Sequence, residues 1–293
     1  YLAGSITATF TATNLIIPTL GTLAVPNKVF GDAPFNLTPP TTNSAGAFTY
    51  TSSNTAVATI SGSTVTIVGV GTSTITATQA ATASYATAST TATLTVNVPA
   101  APTPTKAAED VISIFSNAYT DLVNTDFYPN WGQSTKYVQE NGMLKYSNLN
   151  YQGITFSPPI NGAAMEKLHI DIWTPNCTSF QMFVLDGSDE QSVTLTPSFN
   201  GWNSYDIDLA QYTSLTKSNL VEFKMVGSGT VYLDNIFFWK LPAGTYTYYA
   251  DADGDGYGAG TASLIGAGAA ISLIGAVAVI SLMILSMLTD SVD

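Results

Sequence analysis

The sequence lacks arginine and contains one cysteine and one histidine among its 293 residues. Nucleic-acid binding draws on clusters of Lys and Arg, whereas here eight lysines are outnumbered by 20 acidic residues and the formal net charge is −12. No nucleic acid is therefore expected as a partner. Cys177 alone cannot form an internal disulfide, and Cys177 with His169 cannot supply a Cys/His zinc site or a catalytic Cys–His pair. This inventory excludes most cofactor chemistry and metal-dependent hydrolysis.

Charge and aromatic residues are also distributed unevenly along the chain. Only Lys28 and Asp32 are charged before residue 106, and all four tryptophans follow that position. Between these parts, an Ala/Pro/Thr run cannot hold a central strand or helix, so residues 99–107 are predicted to form a short, stiff linker. The sequence therefore predicts two folded parts before residue 242.

The first part alternates apolar and hydroxylated residues, as in Ala56–Ile60 and Ser73–Ala77. β-Branched residues at period two, interrupted by Gly, favour antiparallel strands in a sandwich. The runs Tyr50–Ile60 and Val65–Ala77 carry the patterns SSN-x-x-VA-x-I and G-x-GT-x-x-ITA, in that order. With them, residues 20–98 resemble a bacterial immunoglobulin-like group 2 domain. That resemblance implies an Ig-like spacer, and the uncharged Thr surface is suited to a stalk outside the cell, to an adhesive face or to glycan attachment.

An internal repeat extends this interpretation towards the N-terminus. Residues 1–11 align with residues 85–95 at an offset of one domain length, matching at Tyr, Ser, Ala and several Thr. Residues 1–19 are therefore predicted to be the end of a preceding Ig-like repeat in a longer array. Chance matching of two Thr-rich strands is the alternative.

The second part, residues 108–241, contains nine candidate strands separated by turn residues, which predicts a jelly-roll β-sandwich. Its motifs are Asp110–Tyr119, Asn130–Gln133, Leu168–Trp173, Gly201–Ile207 and Val231–Ile236. In these runs it resembles the non-catalytic carbohydrate-binding jelly rolls that accompany glycoside hydrolases in Bacteroidota. The resemblance implies binding of a polysaccharide or cell-surface glycan, although some such modules have no known ligand.

Strand alternation gives candidate glycan-binding residues. His169, Asp171 and Trp173 share one face of their strand, and Gln181 and Glu222 likewise oppose apolar residues on theirs. A sugar needs aromatic planes and polar groups that meet its hydroxyls, so these five residues are predicted to form one open face. Two further aromatic residues are placed at its rim, Tyr151 and Trp131. Core packing of the tryptophans and a merely solvated polar stripe are the alternatives.

No enzyme is predicted. Asp171 and Glu222 could form a glycosidase pair only at a defined separation with one of them protonated. The sequence has no E-x-D-x-x-E strand and no catalytic domain beside this module.

A structural calcium ion is implied by the same resemblance, because such jelly rolls often tie their first strand to their last through calcium. The carboxylate in the last strand is Asp234, and the candidate co-ligands near the first strand are Asp110, Ser113 and Asp126. Oxygen ligands of this kind suit calcium. Capping of a turn by Asp234 is the alternative.

A second calcium motif is predicted at residues 249–259. Asp251, Asp253 and Asp255 occupy positions 1, 3 and 5 of an EF-hand-type loop, with Gly at position 6. Position 12 is Ala262 rather than Glu, so binding should be weak. The run also resembles one thrombospondin type 3 calcium repeat, and a flexible acidic linker is the alternative.

The last part is predicted to be a hydrophobic helix over residues 262–288. Its 25 uncharged residues 264–288 would span about 37 Å as a helix, enough for a bilayer core of about 30 Å. Many are small residues that allow close helix packing. The segment is therefore predicted to anchor the chain in a membrane or to drive self-association, and no basic residues follow it to set an orientation.

Three functions compete at this point. An extracellular, membrane-anchored surface protein that presents a glycan-binding or adhesive module on an Ig-like stalk accounts for all four parts. A structural component of an appendage or virion explains the array and the hydrophobic segment without a ligand. An accessory region of a larger secreted glycoside hydrolase explains the jelly roll alone.

Overall fold

A computed structural model describes residues 14–242, together with the backbone of residues 245–249 and 261–265. Within these residues the structure is all-β, as the sequence predicts. The only helices in this part of the chain are three single 3₁₀ turns, at Ala108–Asp110, Leu209–Gln211 and Lys217–Asn219. The described strands form two sandwiches and one separate hairpin.

The first sandwich lies within residues 14–98 and has seven strands. They are β1 (Lys28–Val29), β2 (Phe35–Asn36), β3 (Phe48–Ser52), β4 (Ala58–Ser61), β5 (Thr64–Ile67), β6 (Gly71–Gln79) and β7 (Ala88–Asn97). A four-stranded sheet has the order β1-β7-β6-β3, and a three-stranded sheet has the order β2-β5-β4. Alternation explains the packing: Ile75 and Leu94 are fully buried between the sheets, whereas Thr74 and Thr93 are exposed.

The segment before β1 is attached to this sandwich. Ile16 forms a parallel bridge with Tyr85, and Leu20 forms an antiparallel bridge with Thr42. Residues 16–19, predicted to end a preceding repeat, thus lie against the first sandwich. Residues 1–13 of that predicted repeat lie outside the described residues.

The second sandwich begins at β8 and has eleven strands. They are β8 (Val111–Phe115), β9 (Thr125–Asp126), β10 (Lys136–Glu140), β11 (Met143–Ser147), β12 (Tyr151–Ile160), β13 (Lys167–Trp173), β14 (Phe180–Leu185), β15 (Glu190–Leu195), β16 (Trp202–Asp208), β17 (Leu220–Val226) and β18 (Val231–Trp239). All nine predicted strands are present, and β9 and β10 are additional.

The strands of the second sandwich form two sheets. A six-stranded sheet has the order β10-β11-β18-β13-β16, with β8 also paired to β18. A five-stranded sheet has the order β15-β14-β17-β12-β9. Leu168, Ile170 and Ile172 of β13 face inward from the first of these sheets, and Phe223 and Met225 of β17 face inward from the second. All five side chains are fully buried, so the core lies between the two sheets.

Two further described segments form a hairpin. Strand β19 (Thr245–Tyr249) pairs antiparallel with strand β20 (Thr261–Ile265). The acidic residues of the predicted 249–259 calcium loop, Asp251, Asp253 and Asp255, lie outside the described residues. Residues 262–265, at the start of the predicted hydrophobic helix, belong to β20, and residues 266–288 lie outside the described part. No helix among the described residues is long and apolar enough to cross a membrane.

Candidate functional site

The residues predicted to form one glycan-binding face are divided between two sheets. His169, Asp171 and Trp173 lie on β13 of the six-stranded sheet. The strands that carry Gln181 and Glu222 belong to the five-stranded sheet. Because each set points away from the core between the sheets, the two sets face opposite sides of the sandwich. The prediction of a single shared face is therefore wrong.

Trp173 is not available to a ligand. Its side chain is fully buried, with 0% of its surface exposed. Its ring packs edge-on against Phe30 of the first sandwich at 5.9 Å between centroids, and against Tyr232 of β18 at 5.5 Å. The prediction that Trp173 offers a stacking plane to a sugar is wrong, because the first sandwich covers it.

Asp171 belongs to a closed polar network rather than to an open site. It is 1% exposed, accepts a hydrogen bond from the Ser204 hydroxyl, and accepts a second from Asn235 Nδ2 at 2.7 Å. The ring of His169 lies between two carboxylates, with Nδ1 2.7 Å from Asp206 and Nε2 3.3 Å from Asp171. Burial lowers the pKa of His169, but hydrogen bonds and charges from both carboxylates outweigh burial and raise the pKa. This arrangement stabilises the sheet.

The predicted linker 99–107 lies across the same side of the second sandwich. The indole N–H of Trp202 donates to the carbonyl of Pro99 at 3.0 Å, and Asn235 Nδ2 donates to the carbonyl of Pro102 at 2.7 Å. The Tyr119 hydroxyl donates to the carbonyl of Lys106 at 2.9 Å. The chain itself thus covers part of the outer face of the six-stranded sheet, while Ser204 and Asp206 of β16 stay exposed there.

The outer face of the five-stranded sheet, called here the open face, carries the other candidates. Strands β15, β14, β17 and β12 lie side by side, and their register aligns outward-facing residues in three rows. The rows are Thr194, Gln181, Val226 and Tyr151; Ser192, Phe183, Lys224 and Gly153; and Glu190, Leu185, Glu222 and Thr155. Neighbouring strands are about 4.8 Å apart, so each row spans roughly 14 Å. The structure therefore brings Gln181, Glu222 and Tyr151 together.

Trp131 completes this surface at the β12 side. Its partly exposed ring lies directly over Gly153, where a methyl group would overlap the ring. The backbone of Trp131 is fixed at both polar groups: its carbonyl accepts from the Tyr151 hydroxyl at 2.9 Å, and its N–H donates to Gln133 Oε1 at 2.7 Å. Gln133 in turn donates to Gln152 of β12 at 3.1 Å. The aromatic plane is therefore preorganised.

Charged groups lie between the aromatic residues of the open face. The ammonium of Lys224 is paired with Glu190 and lies 4.2 Å from the ring centroid of Phe183. Burial raises the pKa of Glu222; the negative charge of Glu190 raises it further, and Lys224 opposes this shift. The surface thus combines hydrogen-bond donors and acceptors with three aromatic side chains, Trp131, Tyr151 and Phe183.

Sequence reasoning missed Phe183, Glu190 and Gly153. Alternation alone places Phe183 opposite the buried Met182 and Val184, but only the pairing of β14 with β17 sets it beside Lys224. Gly153 was visible as a glycine inside a strand, which often marks the close approach of another group.

Asp234, the predicted calcium ligand, is 3% exposed in β18. Burial raises its pKa to about 6, with further contributions from the charges of Asp171 and Asp121. Its Oδ1 accepts from the N–H of Asn235 at 2.7 Å. None of these three residues, Asp171, Asp121 and Asn235, is among the predicted co-ligands.

The predicted co-ligands of Asp234 lie on separate elements. Asp126 lies in β9 of the opposite sheet, and the hydroxyl of Ser113 donates to Asp121 at 2.6 Å. Asp110 lies in the 3₁₀ turn before β8. Among the described residues, no group of three or more His, Cys, Asp or Glu side chains is placed to hold a metal. Calcium binding at Asp234 stays a prediction from the sequence.

Comparisons with known proteins give structural similarity only. No protein-family model and no curated protein matches the sequence. Similar solved structures include a mutant of a family 29 carbohydrate binding module, with 15% identity, a TM-score of 0.34, and coverage of 44% of this chain and 89% of that chain. A family 29 mutant complexed with mannohexaose has 16% identity, a TM-score of 0.34 and coverage of 44% and 89%. Another, complexed with cellulohexaose, has 14% identity, a TM-score of 0.33 and the same coverage.

Proposed function

We propose that this chain is a non-catalytic carbohydrate-binding protein and that a polysaccharide or cell-surface glycan lies along the open face. The observation that carries the proposal is the ring of Trp131, seated over Gly153 beside the polar rows of β14 and β17. Sugars present apolar C–H faces that pack on aromatic rings, and hydroxyls that need hydrogen-bonding partners. Gln181, Glu222 and Lys224 supply acceptors and donors next to Trp131 and Phe183.

The geometry also supports a binding role without hydrolysis. A glycosidase places two carboxyl groups on either side of one glycosidic bond, at most about 9.5 Å apart. Asp171 and Glu222 point to opposite sides of the second sandwich, and Asp171 is 1% exposed. These two residues therefore cannot flank one bond.

The site of action that we propose is outside the cell, with the first sandwich serving as a stalk. Supporting this, the outer face of its four-stranded sheet carries exposed hydroxylated residues without charge, including Thr49, Thr74, Thr91 and Thr93. Such a surface is hydrated and unreactive. Attachment to a membrane, or self-association, is assigned to residues 264–288 on the basis of their sequence.

The binding proposal is tested with Trp131→Ala in the full chain. Mannohexaose, cellulohexaose and a polysaccharide array serve as probes, with calorimetry to measure Kd. Loss of one aromatic contact is expected to cost about 2 kcal/mol, roughly thirty-fold in Kd. Phe199→Ala is the matched control, since Phe199 is an aromatic side chain that is 50% exposed outside the open face. Equal binding by both variants, or no binding of any glycan by the wild-type chain, contradicts the proposal.

A further inference from the structure

A separate hydrophobic cluster lies between the two sandwiches. From the first sandwich it contains the buried Val98 and the partly buried Phe30 and Val70. From the second sandwich come four larger side chains, Met143, Trp173, Trp202 and Tyr232. Met143, Trp173 and Tyr232 are no more than 5% exposed. We call this cluster the joint.

Hydrogen bonds extend the joint beyond its apolar centre. Trp202 donates to Pro99, and the two contacts of Pro102 and Lys106 described above follow along the linker. Asn141 also reaches Asn97 at the end of β7, at 3.4 Å. The segment 99–107 is therefore held against the second sandwich at its beginning, middle and end.

These contacts limit how far the two sandwiches can reorient about segment 99–107. An Ala/Pro-rich segment with free flanks is a semi-rigid spacer that lets the domains on either side reorient. Here, reorientation would expose Trp173 and Tyr232 to water and break the hydrogen bonds to the linker carbonyls. Large aromatic side chains dominate the energetics of such interfaces. The apolar contacts favour one arrangement of the two sandwiches.

We propose that the joint holds the two sandwiches in one fixed relative orientation, so that residues 14–238 move as one rigid body rather than as two modules on a hinge. The first sandwich and the linker cover the outer face of the six-stranded sheet around Trp173 and Asn235, and the open face lies on the opposite side. The joint thereby sets the direction in which the open face points relative to the first sandwich. This inference holds whether or not the open face binds a glycan.

The test is Val70→Asp in the full chain, with Val68→Asp as the matched control. Val70 contacts the joint but does not contribute to the core of the first sandwich, whereas Val68 is 46% exposed. A carboxylate at this partly buried position would lie against the apolar side chains of the joint, which is unfavourable, so the joint is expected to open while both sandwiches stay folded. Acrylamide quenching of tryptophan fluorescence and cleavage within 99–107 by a broad-specificity protease should increase for Val70→Asp only. Small-angle scattering should show a wider distribution of interdomain distances.

If the circular dichroism of Val70→Asp shows that the variant is unfolded, the wild-type chain provides an independent measurement. Segment 99–107 of the wild type is expected to resist the protease under conditions that cut an exposed loop. Cleavage of that segment while both sandwiches stay folded would overturn the proposal. Equal quenching and equal cleavage in folded Val70→Asp and Val68→Asp would overturn it as well.

Discussion

At the scale of single residues, the polar groups on β13 hold neighbouring strands together. His169 bridges Asp206 of β16 and Asp171 of its own strand, and its ring stacks on Phe237 of β18 at 4.6 Å between centroids. The buried Asp171 is in turn satisfied by Ser204 and Asn235. A buried carboxylate without such partners would be strongly destabilising. The network therefore explains how charged residues are accommodated beneath the linker.

This network predicts a pH-dependent contribution of His169 to stability. Since its pKa is raised above 6.5 in the folded chain, the protonated ring stabilises the fold fully below pH 6.5. The contribution disappears as the pH rises through the folded-state pKa. His169→Gln should therefore lower the free energy of unfolding more at pH 5.5 than at pH 8.5, as measured by urea denaturation. Asp206→Asn, which removes one partner, should weaken the same pH dependence; a difference between wild type and His169→Gln that is constant across this range would rule out the mechanism.

At the scale of elements, local alternation was sufficient to predict nine strands of the second sandwich and the inward and outward residues of β13, β14 and β17. β10 was missed because Lys136–Glu140 does not alternate, and β9 because it has only two residues. The sequence pattern does not show which sheet a strand belongs to, because strand pairing joins segments that are distant along the chain. β13 and β14 are neighbours along the chain but belong to opposite sheets. For that reason the predicted site combined Gln181 and Glu222 of the open face with Asp171 and Trp173, which are buried on the opposite side of the sandwich.

Strand β12 provides a test of the open face that leaves its charged residues unchanged. Gly153→Ala adds only a methyl group, but this group would overlap the ring of Trp131 and displace it. The φ angle of Gly153 is not in the left-handed region, so alanine itself is compatible with the strand. We expect weaker glycan binding with little change in melting temperature. Gly201→Ala is the matched control, because a methyl group there meets no atom within 4 Å; a reduction of affinity by both variants alike would argue against the role of Trp131.

At the scale of the whole molecule, the position of the first sandwich determines which surface can act. Sequence alternation correctly placed Trp173 opposite Ile172, yet the first sandwich packs against that outward face. Burial of Trp173 thus results from contacts with Phe30 and Tyr232, not from the pattern of its own strand. On the other side, none of the residues that the structure describes forms a comparable cover over Gln181 or Glu222, which are both partly exposed. Among the predicted glycan-binding residues, those on the outer face of the five-stranded sheet are therefore the accessible ones.

The hydrophobic segment 264–288 gives the last prediction, which concerns the state of the full chain in solution. Exposing about 25 apolar residues would leave on the order of 1,500 Å² in water, which at about 25 cal/mol per Å² costs tens of kcal/mol. This exceeds the net stability of a typical domain, about 5–15 kcal/mol. The full chain should therefore require detergent or sediment as an assembly. A chain truncated after Ile265, which retains β19 and β20, should be a soluble monomer in analytical ultracentrifugation. A monodisperse, detergent-free monomer of the full chain would exclude both anchoring and self-association through this segment.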